Sequence, residues 1–239
     1  MTGTIGWRVI GSVWSALILL ACTGVTAAVA AAQSSHTTTV HHGIRSLVVE
    51  LDEGRLTVRR GGPDVRVHRH LSWSWFAPRV TERRDDSTLT LGAGCATRVS
   101  DRSDIVVAVN CSIDYEIEVP PDLTLTATTT SGIEVDGLTG AANLTCEEGD
   151  IVVTGAGGPV VARTYIGDVD VVFVRPPLTA DLTTGEGNIR MLVPPGHDYR
   201  VSSSARHTAS AVVSAPSAAH QLIARGDGTV SIGYTAGPG

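Results

Sequence analysis

The chain has 239 residues, of which 4% are aromatic and 18% are charged, and its formal net charge is −6. The 18 basic residues are all arginines, which excludes Schiff-base and lysine-nucleophile chemistry. Fourteen acidic residues and three arginines fall between Ser112 and Asp198. Such an acidic stretch repels nucleic-acid phosphates, so we expect no nucleic-acid partner.

The amino-terminal segment is apolar: residues 9–32 contain no charge and no proline. A run of this length can cross a hydrocarbon layer of ~30 Å. We therefore expect residues 1–8 to form a cytoplasmic tail and residues 9–32 a transmembrane helix that leaves the remainder outside the cytoplasm. Two alternatives stay open, because Ala30–Ala32 resembles a signal-peptidase site and Leu19–Cys22 resembles a lipobox that would lipidate Cys22. All three export the rest of the chain.

Residues 33–43 are polar and rich in serine and threonine, which predicts a flexible linker. His36, His41 and His42 could bind a metal, but a flexible linker implies no fixed ligand geometry. We expect them to be solvated.

Residues 44–239 are expected to form the exported domain. Leu47, Val49 and Leu51 alternate with less apolar neighbours before Gly54, which is typical of a half-buried strand. They stand at the same offsets from glycine as residues of the central repeats, described below. The repeats are therefore expected to begin here.

An aromatic cluster follows. Trp73 and Trp75 would share one face of a strand, with Phe76 beside them. One interpretation is a hydrophobic plug that caps one end of a stack of repeats. The other is an exposed platform for a sugar or protein partner, which makes Trp73, Trp75 and Phe76 the candidate binding surface.

Two further groups of polar residues alternate along strands. His68 and His70 could contribute to a metal site, but no third ligand has a suitable spacing, so we expect exposed strand histidines. Asp114, Glu116 and Glu118 could include a glycosidase pair. Three carboxylates in alternation are more typical of a solvated face that also discourages edge pairing.

The cysteines differ in role. In an exported protein, Cys95 and Cys111 most simply form a disulfide. This disulfide would restrain the long segment between them, which contains the apolar strand predicted at Ile105–Val109. Cys146 occupies an inward position of the central repeats, so we expect a small buried residue and not a nucleophile.

The central repeats run from Thr126 to Val193. Their glycines are spaced by 17, 18 and 20 residues and fall at Gly132, Gly149, Gly167 and Gly187. Five residues before them stand Ala127, Leu144, Ala162 and Leu182, and three residues before them stand Thr129, Cys146, Thr164 and Thr184. A period near ~20 residues with internal two-residue alternation predicts stacked β-coils that share one core.

The ends of the repeats carry further signals. Asp150 and Asp168 follow their glycines and could bind calcium, although solvated turns are favoured because the calcium-binding β-roll pattern is absent. Gly226–Ile232 echoes Gly185–Met191 with an offset of 41 residues. That offset predicts two rungs, with one degenerate copy between them near Val212.

Several repeat segments resemble a bacterial family of β-strand-repeat proteins, known as putative adhesins and catalogued as a domain of unknown function. The resemblance rests on Ser131–Val135, Glu148–Val153, Ile166–Val171 and Val193–Tyr199, and it extends over Ser46–Tyr234. It implies an all-β, single-domain β-solenoid outside the cytoplasm, and it defines no functional residues. This chain departs from the pattern after Gly132, where the aspartate is missing, and beyond Arg200, where the repeat fades.

These observations favour a membrane-anchored, envelope-exposed module for adhesion or interaction, with a glycan or protein of the cell envelope as partner. We expect no catalytic residue, no cofactor and no metal. A polysaccharide-acting enzyme on a β-helix is the first alternative. A regulatory ectodomain is the second, and its short tail would require a membrane partner for signalling.

Overall fold

The computed structural model describes residues 32–74, 77–95 and 111–236. The predicted tail, the transmembrane helix, Cys22 and the strand at 105–109 lie outside these residues. The described part is all-β and contains no helix, and therefore none that is long and apolar enough to cross a membrane.

Nineteen strands form two mixed sheets of ten and nine strands. The first ten are β1 Ala32–His41, β2 Ser46–Leu51, β3 Arg55–Arg60, β4 Val65–Ser74, β5 Arg79–Asp85, β6 Thr88–Gly94, β7 Ser112–Val119, β8 Thr124–Thr129, β9 Ile133–Asp136 and β10 Ala142–Glu148. The others are β11 Ile151–Ala156, β12 Val160–Ile166, β13 Val169–Phe173, β14 Thr179–Glu186, β15 Ile189–Val193, β16 Tyr199–Ser204, β17 His207–Ser210, β18 His220–Arg225 and β19 Thr229–Tyr234.

Sixteen of the strands form pairs that we call rungs, in which one strand belongs to each sheet. Equivalent strands of neighbouring rungs are parallel and pair in register, as in β10 with β12 and β13 with β15. Inward side chains alternate with outward ones, so each sheet turns an apolar face toward the other. The core therefore lies between the two sheets, and it does not extend to β17, whose four residues are all exposed.

The predicted columns of inward residues are confirmed. Side chains five residues before the repeat glycines pair in register and are at most 1% exposed: Ala127, Leu144, Ala162 and Leu182. The column three residues before the glycines is also buried: Thr129, Cys146, Thr164 and Thr184. Alanine and leucine alternate from rung to rung, so small and large side chains interdigitate in the core.

The order of rungs in space differs from the order along the chain at both ends. It runs β6–β7, β2–β3, β8–β9, β10–β11, β12–β13, β14–β15, β18–β19, β16–β17. The echo at Gly226–Ile232 therefore pairs directly with the rung that it resembles, as Val230 opposite Ile189 shows. The degenerate copy, which forms the rung β16–β17, was predicted to lie between these two rungs. It is instead outermost, where its Ser-rich strands have only one neighbour to pack against.

Three antiparallel strands complete the other end of the stack. β4 pairs with β7, β1 pairs with β4, and β5 pairs with β6. Residues 33–41 therefore lie in a strand, which differs from the flexible linker predicted for 33–43. The prediction rested on the lack of apolar alternation. An edge strand faces solvent widely and does not need that alternation, and threonine is a good strand former.

The repeat glycines occupy turns that need backbone conformations unusual for other residues. Gly149, Gly167 and Gly187 have φ values of 149°, 143° and 151°. A side chain at Gly167 would overlap the carbonyl group of Gly149 in the rung below. Glycine is required here by both the backbone conformation and the close stacking of turns.

Candidate functional site

A trough lies on the outer face of β1, β4, β7 and β3. Its volume is about 360 Å³. The side chains along it point away from the core because their sequence neighbours, such as Tyr115 and Leu56, point inward and are buried. The trough is therefore a product of strand alternation on four adjacent strands.

Two cross-strand rows of side chains form its walls. The first row consists of His36, His70, Asp114 and Arg55, which are register partners from β1 to β3. The second row consists of Thr38, His68, Glu116 and Thr57. The walls thus combine imidazoles, carboxylates, a guanidinium group and hydroxyls, which together supply both donors and acceptors of hydrogen bonds.

The alternating carboxylates of β7 are held by arginines from both neighbouring strands. Arg59 on β3 donates to Glu116 across 2.6 Å, and Arg66 on β4 donates to Glu118 across 2.8 Å. These pairs are solvent-exposed, so each adds at most ~1 kcal/mol to stability. They do fix the carboxylate positions along the trough, and they occupy Glu116 and Glu118 in ion pairs.

Histidine side chains make several of the cross-strand contacts of β1 and the residue after it. The rings of His36 and His70 lie 4.0 Å apart between centroids, and Thr38 Oγ1 lies 3.0 Å from His68 Nδ1. His41 Nε2 lies 3.3 Å from Glu82 on β5, and His42 Nδ1 lies 2.9 Å from Asp64. The histidines of the predicted linker are therefore positioned by the fold.

Of the predicted aromatic surface, the structure describes only Trp73. This side chain is half-buried and packs against the hydrophobic core. Trp75 and Phe76 lie outside the described residues. Trp73 does not line the trough, so the described part of the candidate surface predicted from sequence is separate from the trough.

The cysteines lie as predicted. Cys95 and Cys111 form a disulfide that joins the end of β6 to the start of β7. Cys146 is free and 2% exposed. Burial raises the pKa of its thiol, which opposes formation of the reactive thiolate.

The turn carboxylates are used within the stack. Asp150 Oδ1 accepts a hydrogen bond from the Asp168 amide at 2.8 Å, and Asp168 Oδ1 accepts one from the Asn188 amide at 2.7 Å. Among the residues that the structure describes, no three histidine, cysteine or acidic side chains are grouped as ligands of a metal ion. The calcium hypothesis for Asp150 and Asp168 therefore has a competing structural explanation.

The trough was not predicted from the sequence. Its residues were assigned to three separate groups, which are His36 with the linker, His68 with His70, and the carboxylates of β7. They were not connected because the four strands are up to 78 residues apart in the chain, from His36 to Asp114. One signal was available. Arg55 and Arg59, four residues apart on β3, stand opposite Asp114 and Glu118 on β7, and opposite charges of this kind are expected of strands paired across a sheet.

No protein-family model matches this chain, and no curated protein matches it. Among solved structures it is similar to a putative cell adhesion protein from Clostridium sporogenes, with a TM-score of 0.49, 10% identity, and coverage of 85% of this chain and 100% of that one. It is also similar to a putative adhesin from Bacteroides fragilis, with a TM-score of 0.45, 10% identity, and coverage of 85% and 97%. A third likeness is to a putative adhesin from Parabacteroides merdae, with a TM-score of 0.34, 8% identity, and coverage of 85% and 97%.

The described part of this chain is thus an all-β stack of two mixed sheets, tied by a disulfide, with a trough of histidines, carboxylates and arginine on its outer face.

Proposed function

We propose that this chain is a membrane-anchored, extracytoplasmic β-solenoid that binds a component of the cell envelope without transforming it. The trough is the observation that carries this proposal. It is an open surface whose walls combine donors and acceptors of hydrogen bonds, and it lies on four adjacent strands of one sheet. A surface of this kind suits a hydroxyl-rich ligand, so an envelope glycan is favoured over a protein.

The disulfide supports the location. Disulfides form and persist in oxidising compartments and are rare in the cytoplasm, and Cys95 and Cys111 are joined. The apolar segment 9–32 would supply the membrane anchor, with residues 44–239 outside. Cleavage after Ala32 and lipidation at Cys22 remain the alternatives, and each leaves the domain outside the cytoplasm.

A polysaccharide-acting enzyme is the second candidate, because Asp114 and Glu116 share the trough. A glycosidase needs one carboxyl group that donates a proton and a second that acts as base or nucleophile. Glu116 is already bound to Arg59 at 2.6 Å, an arrangement that suits a positioning role better than proton donation. A regulatory ectodomain is the third candidate, and it would act through a membrane partner.

The test uses purified full-length chain in detergent micelles, mixed with cell-wall fragments, membrane proteins and soluble polysaccharides of the source bacterium. Retention and the release of reducing or unsaturated sugar ends are measured in the same tubes. Saturable retention of one fraction without product supports the binding module. Release of sugar ends identifies an enzyme and overturns the proposal.

Matched variants locate the surface. The double variant Asp114→Asn/His68→Ala should abolish retention, whereas Thr126→Ala, on the outer face of the other sheet, should leave it unchanged. Trp73→Ala separates the two aromatic interpretations. A lower melting temperature identifies a plug, whereas an unchanged melting temperature with lost retention identifies a platform shared with Trp75 and Phe76.

A further inference from the structure

We propose that His36 and His70 form a binding site for a borderline divalent transition-metal cation such as Cu²⁺, Ni²⁺ or Zn²⁺. The two residues are register partners on β1 and β4, and their ring centroids lie 4.0 Å apart at an interplanar angle of 78°. Both side chains are exposed, so their torsions are free to adjust. Neutral imidazole is the ligand that these cations share.

The neighbouring residue supports the pair. Asp114 is the register partner of His70 on β7, and Ser112 Oγ donates a hydrogen bond to its Oδ2 at 3.2 Å. A carboxylate beside a metal-bound histidine accepts the second ring N–H and thereby orients the ring. Asp114 is placed for this role toward His70.

The site is open. No three histidine, cysteine or acidic side chains of the described residues are grouped as a complete ligand set. The cation would therefore be held by two imidazoles, with water or a ligand from solution at its other positions. This differs from a structural zinc site, which uses four protein ligands and admits no exchangeable one. An exchangeable position next to the trough allows the cation to contact whatever occupies the trough.

Other histidines of the described chain are less suited. His68 Nδ1 is within hydrogen-bond distance of Thr38 Oγ1 at 3.0 Å. The rings of His197 and His220 lie 5.9 Å apart, and His220 Nδ1 is engaged by the Pro177 carbonyl at 2.9 Å. Within the described residues, the only side-chain contact shown for His36 is with His70, and both of its ring nitrogens are available.

Metal binding at this pair would join the outermost strand of the sheet to the strand beside it. β1 lies at the edge, where β4 is its neighbour on one side only. A cation bound by one residue from each strand closes a cross-link between them, and the stability that the native state gains grows with the logarithm of the cation concentration once this exceeds the dissociation constant. The inference thus assigns a structural effect as well as a ligand to the pair.

The experiment is a titration of the purified full-length chain, in detergent micelles, with Cu²⁺ followed by electron paramagnetic resonance and with Zn²⁺ followed by calorimetry. We expect about one strongly bound cation per chain, with a Cu²⁺ spectrum showing two coupled imidazole nitrogens. His36→Gln and His70→Gln should each weaken binding by at least about tenfold. His207→Gln, on the exposed strand β17, is the matched control and should bind as the parent does.

Hydrogen exchange gives a second readout that a merely structural histidine would not change. Zn²⁺ should slow exchange of the amides of residues 33–41 in the parent and not in His36→Gln, and the melting temperature of His36→Gln without metal shows that the variant is folded. Equal affinity in the parent, His36→Gln and His70→Gln would overturn the proposal. Loss of cation binding in His220→Gln would also overturn it, because that result would assign the site to His197 and His220.

Discussion

Asp150 Oδ1 accepts a hydrogen bond from the backbone amide of Asp168, one rung further along the stack, across 2.8 Å. The same relationship continues, since Asp168 Oδ1 accepts from the Asn188 amide at 2.7 Å and Asn188 Oδ1 accepts from the Thr229 amide at 3.0 Å. Each turn side chain thus satisfies the backbone of the next turn. The aspartates that follow the glycines are explained by this chain of hydrogen bonds without a bound ion.

The first prediction follows from that chain. Asp168→Ala removes the acceptor for the Asn188 amide and should lower the free energy of unfolding by ~1 kcal/mol. Asp168→Asn keeps an acceptor oxygen and should cost less. Urea unfolding measures both, with Asp198→Ala as an exposed control. If calcium raises the melting temperature of the parent and Asp168→Asn abolishes that rise, calcium binding is the better explanation.

The second prediction concerns the glycine of the same turn. Gly167 has a φ of 143°, and a Cβ there would overlap the carbonyl of Gly149. Gly167→Ala should therefore destabilise the stack by ~2–4 kcal/mol, through backbone strain and overlap together. Gly62→Ala is the control, because no atom lies within 4 Å of the Cβ it would add. Equal melting temperatures for the two variants would show that the stack can relax around the turn.

The third prediction uses the inward threonine column. Thr164 Oγ1 donates to the Gly149 carbonyl at 2.9 Å, and Thr184 Oγ1 donates to the Gly167 carbonyl at 2.7 Å. Cys146 is the equivalent residue one rung earlier. Cys146→Thr should therefore be neutral or stabilising, because its hydroxyl can donate to the Gly132 carbonyl in the same way.

Cys146 also has a chemical test. Its pKa is raised, first by burial, so alkylation of the folded protein at neutral pH should be slow and should become fast only on unfolding. Rapid labelling in the folded state would contradict the inward placement. A melting temperature of Cys146→Thr well below that of the parent would contradict the shared role of the column.

The repeat pattern predicted the middle of the stack well because the same physical requirement recurs there. Each rung must bury two side chains before its glycine and then turn, so Leu144 and Leu182 could be assigned inward from spacing alone. Their offsets from glycine also identified Leu47 and Val49 as part of the stack, and both are buried. Alternation and glycine turns are local properties, which a sequence displays directly.

The order of the rungs is not a local property. β2 pairs with β8 on one side and with β6 on the other, so the rung β6–β7 lies outside the rung β2–β3 although it follows that rung in the chain. Nothing in the residues of β2 distinguishes one parallel neighbour from another of similar apolar pattern. The trough depends on that order, since it brings His36, His70 and Asp114 together from three separate segments, and this is why the sequence revealed its residues but not their grouping.

The fourth prediction concerns the disulfide between Cys95 and Cys111, which have a sequence separation of 16. A closed loop of that size restricts the unfolded chain by ~3 kcal/mol. Cys95→Ala/Cys111→Ala should lose about that much unfolding free energy, and so should the reduced parent. Because β7 begins next to Cys111, the loss should also loosen the trough, measured as faster hydrogen exchange in β7. Unchanged stability on reduction would show that the loop is restrained by other contacts.

The fifth prediction concerns stability at high pH. Tyr199 is buried, and its hydroxyl donates to the Pro194 carbonyl at 2.8 Å. Burial, with a smaller contribution from Tyr234, raises the pKa of Tyr199 to about 12, from an ordinary value of ~10. The unfolded chain therefore loses this proton at a lower pH than the folded chain does. The resulting stability is fully present below pH ~10 and is lost as the pH rises from there toward about 12.

Urea midpoints across this pH interval should fall steeply for the parent and less steeply for Tyr199→Phe. The slope that remains in Tyr199→Phe includes the contribution of Tyr115, because burial also raises the pKa of Tyr115. Tyr165→Phe, at a tyrosine that is 69% exposed, should follow the parent. If Tyr199→Phe retains the full slope, the alkaline loss of stability comes from other groups.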